Sequence, residues 1–228
     1  MFLSRSQSIL AAVFLAAVAS VSAAPVPEGW NALENCRLAQ ADYADGDSFH
    51  VIHRGRNYQF RLYFVDCPET DMRFPERIEE QMKAFGLDAN GIMAAGQRAH
   101  AFTVDALSRP FSVLTKWEDA RGASAQERFY AVVLVENKNL AEELVRSGLA
   151  RAYGMYTDYP SEVGGRQFVA KLRRLQNQAT RSKVGAFAQS VTIPPSPREK
   201  NRPFADPQGI MSDRILEEGI GSIGIDSN

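Results

Sequence analysis

The stretch DGDSFHVIHRGRNYQFRLYFVDCPET, residues 45–70, determines how the first half of the chain is expected to fold. Apolar residues alternate with polar ones on both sides of a polar, glycine-containing segment at residues 53–56, which is the pattern of a β-hairpin with one buried face. A hairpin returns the chain to the side from which it started. Asp47 and Asp66 are therefore expected on one rim of a small sheet, and a further strand at residues 37–43 is expected to lead into this rim.

The rim would carry acidic side chains and one arginine. Asp45 and Asp47 stand at its entry, Asp66 and Glu69 stand at its exit, and Arg61 lies on the second hairpin strand. Clustered carboxylates bind hard divalent cations, and an arginine binds phosphate through a planar pair of donors. An ordinary Asp-Gly surface turn is the alternative. The combined placement favours a metal-assisted site that cleaves phosphodiesters.

The two ends of the 228-residue chain differ in composition from its middle. Residues 1–23 contain a basic residue, a short apolar run and then small residues, which is the layout of a secretory signal. The run is shorter than the roughly 20 residues of a membrane-spanning helix. We therefore expect cleavage, a secreted or periplasmic location and no stable membrane association, with an uncleaved anchor as the alternative. Residues 191–228 are rich in proline and glycine and are expected to form a flexible tail. The folded domain is predicted at residues 29–190.

The charge of the chain gives limited support for a nucleic-acid partner. The 26 basic and 27 acidic residues nearly cancel, whereas general nucleic-acid binders usually carry a basic surplus. Residues 166–183, however, contain six basic residues and no acidic one. A solvated helix face is the ordinary explanation of such a run, and a surface that attracts phosphates is the alternative.

The remaining elements follow from periodicity and from turn residues. Helical spacing and stop signals predict helices, and short apolar runs predict strands. The helices are expected at residues 75–85, 90–107, 140–147 and 166–180, and the strands at residues 111–117 and 129–135. The order is three strands, a helical region, two strands and two helices, which does not alternate as in a doubly wound parallel sheet. The order predicts an α+β, mainly β fold in which a small five-stranded barrel packs against helices.

The two cysteines raise the question of a disulfide in an exported protein. Cys36 begins the first predicted strand and Cys67 follows the third, and these two strands should run in the same direction. Bonded cysteines need Cα atoms within about 7 Å. The predicted topology therefore weighs against a bond between them, without deciding the question.

Five segments, taken together and in order, resemble the staphylococcal nuclease (thermonuclease) family. They lie at residues 45–48, 61–70, 127–131, 143–150 and 172–187. The resemblance implies an OB-fold, a five-stranded barrel with about three packed helices. It also implies a monomeric, calcium-dependent endonuclease that hydrolyses DNA and RNA and leaves 3′-phosphate ends.

The resemblance also assigns the metal ligands. Asp47 and Asp66 correspond to the carboxylates that hold Ca²⁺ in this family, and the backbone carbonyl of Cys67 corresponds to a third ligand. Asp45 corresponds to a carboxylate that lies near the ion without direct contact. The family usually has threonine in place of Cys67, a change that leaves the carbonyl ligand in place.

The other site residues are assigned by the same resemblance. Arg61 and Arg128 correspond to the arginines that contact the phosphate, and Glu69 to the catalytic glutamate. Tyr153 and Tyr156 fall near tyrosines on the substrate side. The chain departs from the family at Gln126, where a substrate-packing tyrosine is usual, and in an expanded segment at residues 71–96 that would lie beside the site.

A catalytically silent OB-fold module that binds nucleic acid or protein is the competing function. Such modules bind single strands through a basic groove and aromatic platforms. A silent relative would be expected to lose at least one carboxylate or arginine of the reaction. This chain keeps all of them, so the enzyme is the favoured prediction.

Overall fold

A closed β-barrel packed against helices forms the domain. The computed structural model describes residues 26–40, 45–122, 126–161 and 163–189. Its strands are β1 Asn31–Leu38, β2 Ser48–His53, β3 Arg56–Leu62, β4 Val65–Asp66, β5 Phe111–Asp119, β6 Phe129–Val135, β7 Lys138–Asn139 and β8 Arg151–Ala152. The α-helices are α1 Pro75–Phe85, α2 Ala89–Ala106, α3 Leu140–Arg146 and α4 Gly165–Arg181, and a 3₁₀ helix follows at Gly185–Gln189. The predicted signal and tail lie outside the described residues and stay predictions.

One parallel pairing closes the barrel. The strands follow the order β3-β2-β1-β5-β6-β7, and β3 also pairs with β6. In this last pairing Phe60 lies opposite Phe129 and Leu62 lies opposite Ala131. Phe60 and Leu62 are almost completely buried, and a side chain of this size contributes roughly 1.5–3 kcal/mol when it leaves water. The predicted five-stranded, mainly β barrel is confirmed.

The predicted hairpin forms around a tight two-residue turn. His53 pairs with Arg56, and both Arg54 and Gly55 between them have positive φ angles, of 48° and 76°. This geometry matches the twist of the two strands. The register then places Ser48 opposite Arg61 at the far end of the hairpin, next to the acidic residues.

The first strand was predicted too late in the chain. It runs from Asn31 to Leu38, not over residues 37–43, of which 41–43 lie outside the described residues. Its pairing with β5 begins at Asn31 and shifts between Leu33 and Cys36. This irregularity, together with a positive φ at Asn35, removes the clean alternation from which a strand is recognised. Cys36 and Cys67, whose pairing the sequence left open, are both buried and free.

The described residues contain four α-helices, where the resemblance implied about three. The additional one is α1 in the expanded segment, which spans the predicted residues and ends at Gly86 with φ 69°. A second apolar cluster holds it against α2 and the end of α4. Its members are Ile78, Phe85, Ile92, Ala95, Ala179, Ala186 and Phe187. Among the described residues, no helix has the length and apolar character needed to cross a membrane.

The glycine at position 96 lets α2 approach the chain beside the acidic rim. A Cβ atom built on Gly96 would lie 2.2 Å from the backbone oxygen of Glu69 and 2.6 Å from that of Pro68. Only a residue without a side chain permits this contact. The backbone on which Glu69 stands is therefore braced from behind by a helix.

Candidate functional site

The entry to β2 is a short turn organised by Asp45. Its Oδ1 accepts hydrogen bonds from the backbone N–H groups of Asp47, at 3.2 Å, and Ser48, at 2.6 Å. Burial, together with the nearby Asp47 carboxylate, raises the pKa of Asp45. Asp47 is buried as well, and its Oδ2 accepts from the backbone N–H of Cys67 at 2.9 Å. The two ends of the hairpin region are thereby joined at Asp47.

Asp66 lies at the centre of the site and is surrounded by donors. Arg61 Nη2 and Arg77 Nη2 lie 3.1 and 2.8 Å from its Oδ1. Gln81 Nε2 and Arg151 Nε lie 3.0 and 2.9 Å from its Oδ2. Burial would raise the pKa of Asp66, but the guanidinium groups, Arg151 first, outweigh burial and lower this pKa to about 2. The carboxylate is therefore ionised and fully hydrogen-bonded.

Helix α1 connects Glu69 to Asp66, because Arg77 and Gln81 on this helix contact both residues. Arg77 Nε donates to Glu69 Oε1 at 2.7 Å, and the backbone N–H of Glu69 donates to Gln81 Oε1 at 2.8 Å. Burial raises the pKa of Glu69, and the Arg77 guanidinium only partly offsets this effect. The pKa of Glu69 is therefore shifted upward, toward neutral pH.

The two predicted phosphate-contacting arginines lie near each other because one lies on β3 and the other directly precedes β6, which pairs with β3. Arg61 Nη2 lies within hydrogen-bond reach of both Asp47, at 3.5 Å, and Asp66. Arg128 precedes β6, and its Nη1 donates to the hydroxyl of Ser48 at 3.2 Å, while its Nε donates to the carbonyl of Ala120. Burial and the nearby Arg61 lower the pKa of Arg128. The parallel pairing of β3 and β6 produces this convergence.

The two predicted substrate tyrosines lie in different surroundings. The Tyr153 ring stacks under the guanidinium of Arg151, 4.0 Å from its centroid, and so borders the site. Tyr156 packs edge-on against the core ring of Phe64 and beside Gly165 at the start of α4. Tyr153 is therefore connected to the acidic cluster through Arg151, whereas Tyr156 is connected to the core through Phe64.

Sequence reasoning missed three residues that bind Asp66. Arg77 and Gln81 stand four positions apart on α1 and so share one helix face. Arg151 lies directly opposite Asp66 in the short β4–β8 ladder and also pairs with Glu80. The i, i+4 spacing beside Glu69 was a usable signal for the first two, whereas a two-residue strand leaves no pattern that would have found Arg151.

The donor set does not fit a calcium ion held by the predicted ligands. Asp47 Oδ1 is a buried oxygen without a hydrogen-bond partner among the described residues, as an ion ligand would be. Both oxygens of Asp66 accept from cationic or amide donors, and the carbonyl oxygen of Cys67 accepts from Gln81 Nε2 at 2.9 Å. Ca²⁺ needs six to eight oxygen ligands. In the described part of the chain, no group of three or more metal-ligating side chains is assembled.

The comparison with known families decides the classification. The sequence model of the family described as "Staphylococcal nuclease homologue" matches residues 59–189. The chain belongs to this family. The match runs from β3 to the 3₁₀ helix and includes Arg61, Glu69 and Arg128, whereas Asp47 lies upstream of it. Staphylococcal nuclease homologues have nuclease-type or nucleic-acid-binding functions, and the OB-like barrel of this chain agrees with that membership.

Proposed function

We propose that this protein is an endonuclease that hydrolyses phosphodiester bonds of DNA and RNA. One observation carries the proposal. Glu69 is a braced, largely buried carboxylate with a raised pKa, and it shares a rim with the converging Arg61 and Arg128. A base and preset phosphate donors are the minimal equipment for attack of water on phosphorus.

Each residue has a definite task in this reaction. Arg61 and Arg128 donate hydrogen bonds to the non-bridging phosphate oxygens, on which negative charge increases during attack. Glu69 accepts the proton of the attacking water, which contributes typically 10²–10⁴-fold to the rate. Expulsion of the 5′ oxygen opposite the water would leave a 3′-phosphate and a 5′-hydroxyl.

Calcium has no step in this scheme, although family resemblance implies it as the cofactor. Asp66 would have to exchange guanidinium donors for the ion, and the carbonyl of Cys67 would have to release Gln81. The scheme therefore uses only the side chains that surround the rim. Secretion or periplasmic export also belongs to the proposal, supported by the pattern of residues 1–23 alone.

The test is cleavage of plasmid DNA and of RNA by the purified chain, with end-group analysis of the products. Glu69→Gln is expected to lower the rate by at least about 10²-fold, because the base is lost while the shape is kept. Glu79→Gln, on the exposed face of α1, is the matched control and should cleave like the wild type. Equal cleavage by Glu69→Gln and the wild type would remove Glu69 from its role.

A silent nucleic-acid-binding module is the second candidate, and one contact favours it. Arg77 Nε donates to Glu69 Oε1, and a hydrogen bond from a guanidinium group makes a carboxylate a weaker base. This function predicts strand binding, measured by fluorescence anisotropy of a labelled oligonucleotide, without cleavage of DNA or RNA under any condition. Cleavage that depends on Glu69 excludes it.

A further inference from the structure

A single guanidinium group joins the two carboxylates that are central to the site. Arg77 Nη2 lies 2.8 Å from Asp66 Oδ1, and Arg77 Nε lies 2.7 Å from Glu69 Oε1. Two carboxylates so close together repel each other unless a positive charge lies between them. Arg77 supplies that charge from within the chain, and its planar fork suits two oxygen acceptors at once.

One helical turn further along α1, Gln81 completes the arrangement. Its Nε2 donates to Asp66 Oδ2 at 3.0 Å and to the carbonyl oxygen of Cys67 at 2.9 Å. Its Oε1 accepts from the backbone N–H of Glu69. Gln81 is completely buried, and all its polar atoms are thereby paired. Of the oxygens expected to bind a cation, Asp47 Oδ1 alone has no protein donor among the described residues.

The helix that carries both residues is firmly seated. Pro75 begins α1, Gly86 ends it in the left-handed conformation, and Ile78 and Phe85 are buried in the second apolar cluster. The rings of Phe85 and Phe187 lie 5.3 Å apart. A helix anchored at both ends holds Arg77 and Gln81 at fixed positions relative to the rim, so their contacts are a property of the fold.

We propose that Arg77, positioned with Gln81 on α1, is an internal cation that bridges Asp66, one of the two carboxylates assigned to Ca²⁺, to Glu69 and balances their charge in place of a divalent ion. The site is then assembled and charge-balanced without Ca²⁺. A divalent ion at this place would meet the guanidinium groups of Arg61, Arg77 and Arg151, all of which contact Asp66. Removal of Arg77 leaves the Glu69 carboxylate without this cationic partner and reduces the guanidinium groups at Asp66 to Arg61 and Arg151, which favours entry of a cation.

Binding of Ca²⁺ alone tests the proposal without any use of activity. The wild type, Arg77→Ala and Arg73→Ala are titrated with CaCl₂ in a calorimeter, and their melting temperatures are compared in Ca²⁺ and in EDTA. Arg73 pairs with Asp71 on the exposed loop before α1, so its replacement changes the net charge equally and serves as the control. A ligand that binds the folded state raises the melting temperature.

We expect no Ca²⁺-dependent melting shift for the wild type or for Arg73→Ala, and a clear upward shift for Arg77→Ala, with Ca²⁺ affinity increased at least about tenfold. A role for Arg77 in stability alone would lower the melting temperature without this gain. Arg77→Gln removes the charge with less loss of side-chain length, and it replaces Arg77→Ala in the same measurements if the alanine variant does not fold. Wild-type protein that binds Ca²⁺ as tightly as Arg77→Ala overturns the proposal. A clear Ca²⁺-dependent rise of the wild-type melting temperature also overturns it, and that measurement needs no variant.

The inference extends the proposed function in one respect, since it predicts that wild-type cleavage persists in EDTA. The internal cation and the nuclease activity can be refuted separately. A wild type that neither binds Ca²⁺ nor cleaves any nucleic acid refutes the nuclease and leaves the internal cation standing. A wild type that cleaves only with Ca²⁺ refutes the internal cation and leaves the nuclease standing.

Discussion

Replacement of Asp66 by asparagine removes the one negative charge that three arginines contact. Asp66 is only 1% exposed, so solvent does not screen these contacts. Its pKa is lowered from 3.8 to about 2, and a difference of this size corresponds to roughly 2–3 kcal/mol of folding free energy at neutral pH. Breaking a buried pair costs about 3–5 kcal/mol when the partner charges stay. We expect Asp66→Asn to lower the free energy of unfolding by about 3 kcal/mol.

The pH dependence of this loss identifies its cause. Because the folded-state pKa lies below the unfolded value, the stability that Asp66 contributes is complete above about pH 5 and disappears as the pH falls through about 4 toward 2. Urea unfolding of wild type and Asp66→Asn at several pH values should therefore show a difference that shrinks with acid. Asp105→Asn, on the exposed face of α2, should show no such difference. A loss under about 1 kcal/mol, or one that is equal at all pH values, would refute the electrostatic account.

Two further predictions concern Glu69 and its support. Burial raises the pKa of Glu69, and only the ionised carboxylate accepts a proton. The value of kcat/KM for cleavage should therefore increase with pH, with a midpoint above the ordinary pKa of 4.5. A midpoint at or below that pKa would contradict the assignment of Glu69 as the base. Gly96→Ala places a methyl group 2.2 Å from the Glu69 carbonyl oxygen and should cost about 1–3 kcal/mol in urea unfolding and lower cleavage. Gly164→Ala, which meets no atom within 4 Å, is its control, and equal stability of the two variants would show that α2 does not brace Glu69.

The local elements of the barrel were predictable because their signals are short-range. The alternation around Arg54-Gly55 defines which side chains of β2 and β3 are buried, and a turn of that composition permits one register. Helix α1 was predicted with its observed bounds, since Pro75 and Gly86 mark its ends. The first strand was misplaced because its pairing with β5 is irregular, and no local pattern reports such a shift.

The chemical surroundings of the site were not predictable to the same degree. Arginine and glutamine four residues apart on a helix usually mark a solvated face. The spacing of Arg77 and Gln81 placed them on one helix face beside Glu69, but it did not indicate that this face would contact Asp66. Their contacts exist because Ile78 and Phe85, which are buried on the same side of α1 as Gln81, pack this helix into the second apolar cluster. Packing of the folded chain brings cationic and amide donors to oxygens that the family resemblance had assigned to a metal.

Residue patterns within a few positions were sufficient for the hairpin, for α1 and for the grouping of Asp47 with Asp66, because backbone periodicity and turn chemistry act over that range. The position of Arg128 beside Ser48, and of Arg151 on Asp66, depended on the closure of the barrel and on a ladder that joins residues 85 positions apart. The charge balance at Asp66 depends on the distances between its carboxylate and the surrounding guanidinium groups. These distances are set only when the apolar faces of the chain have packed together.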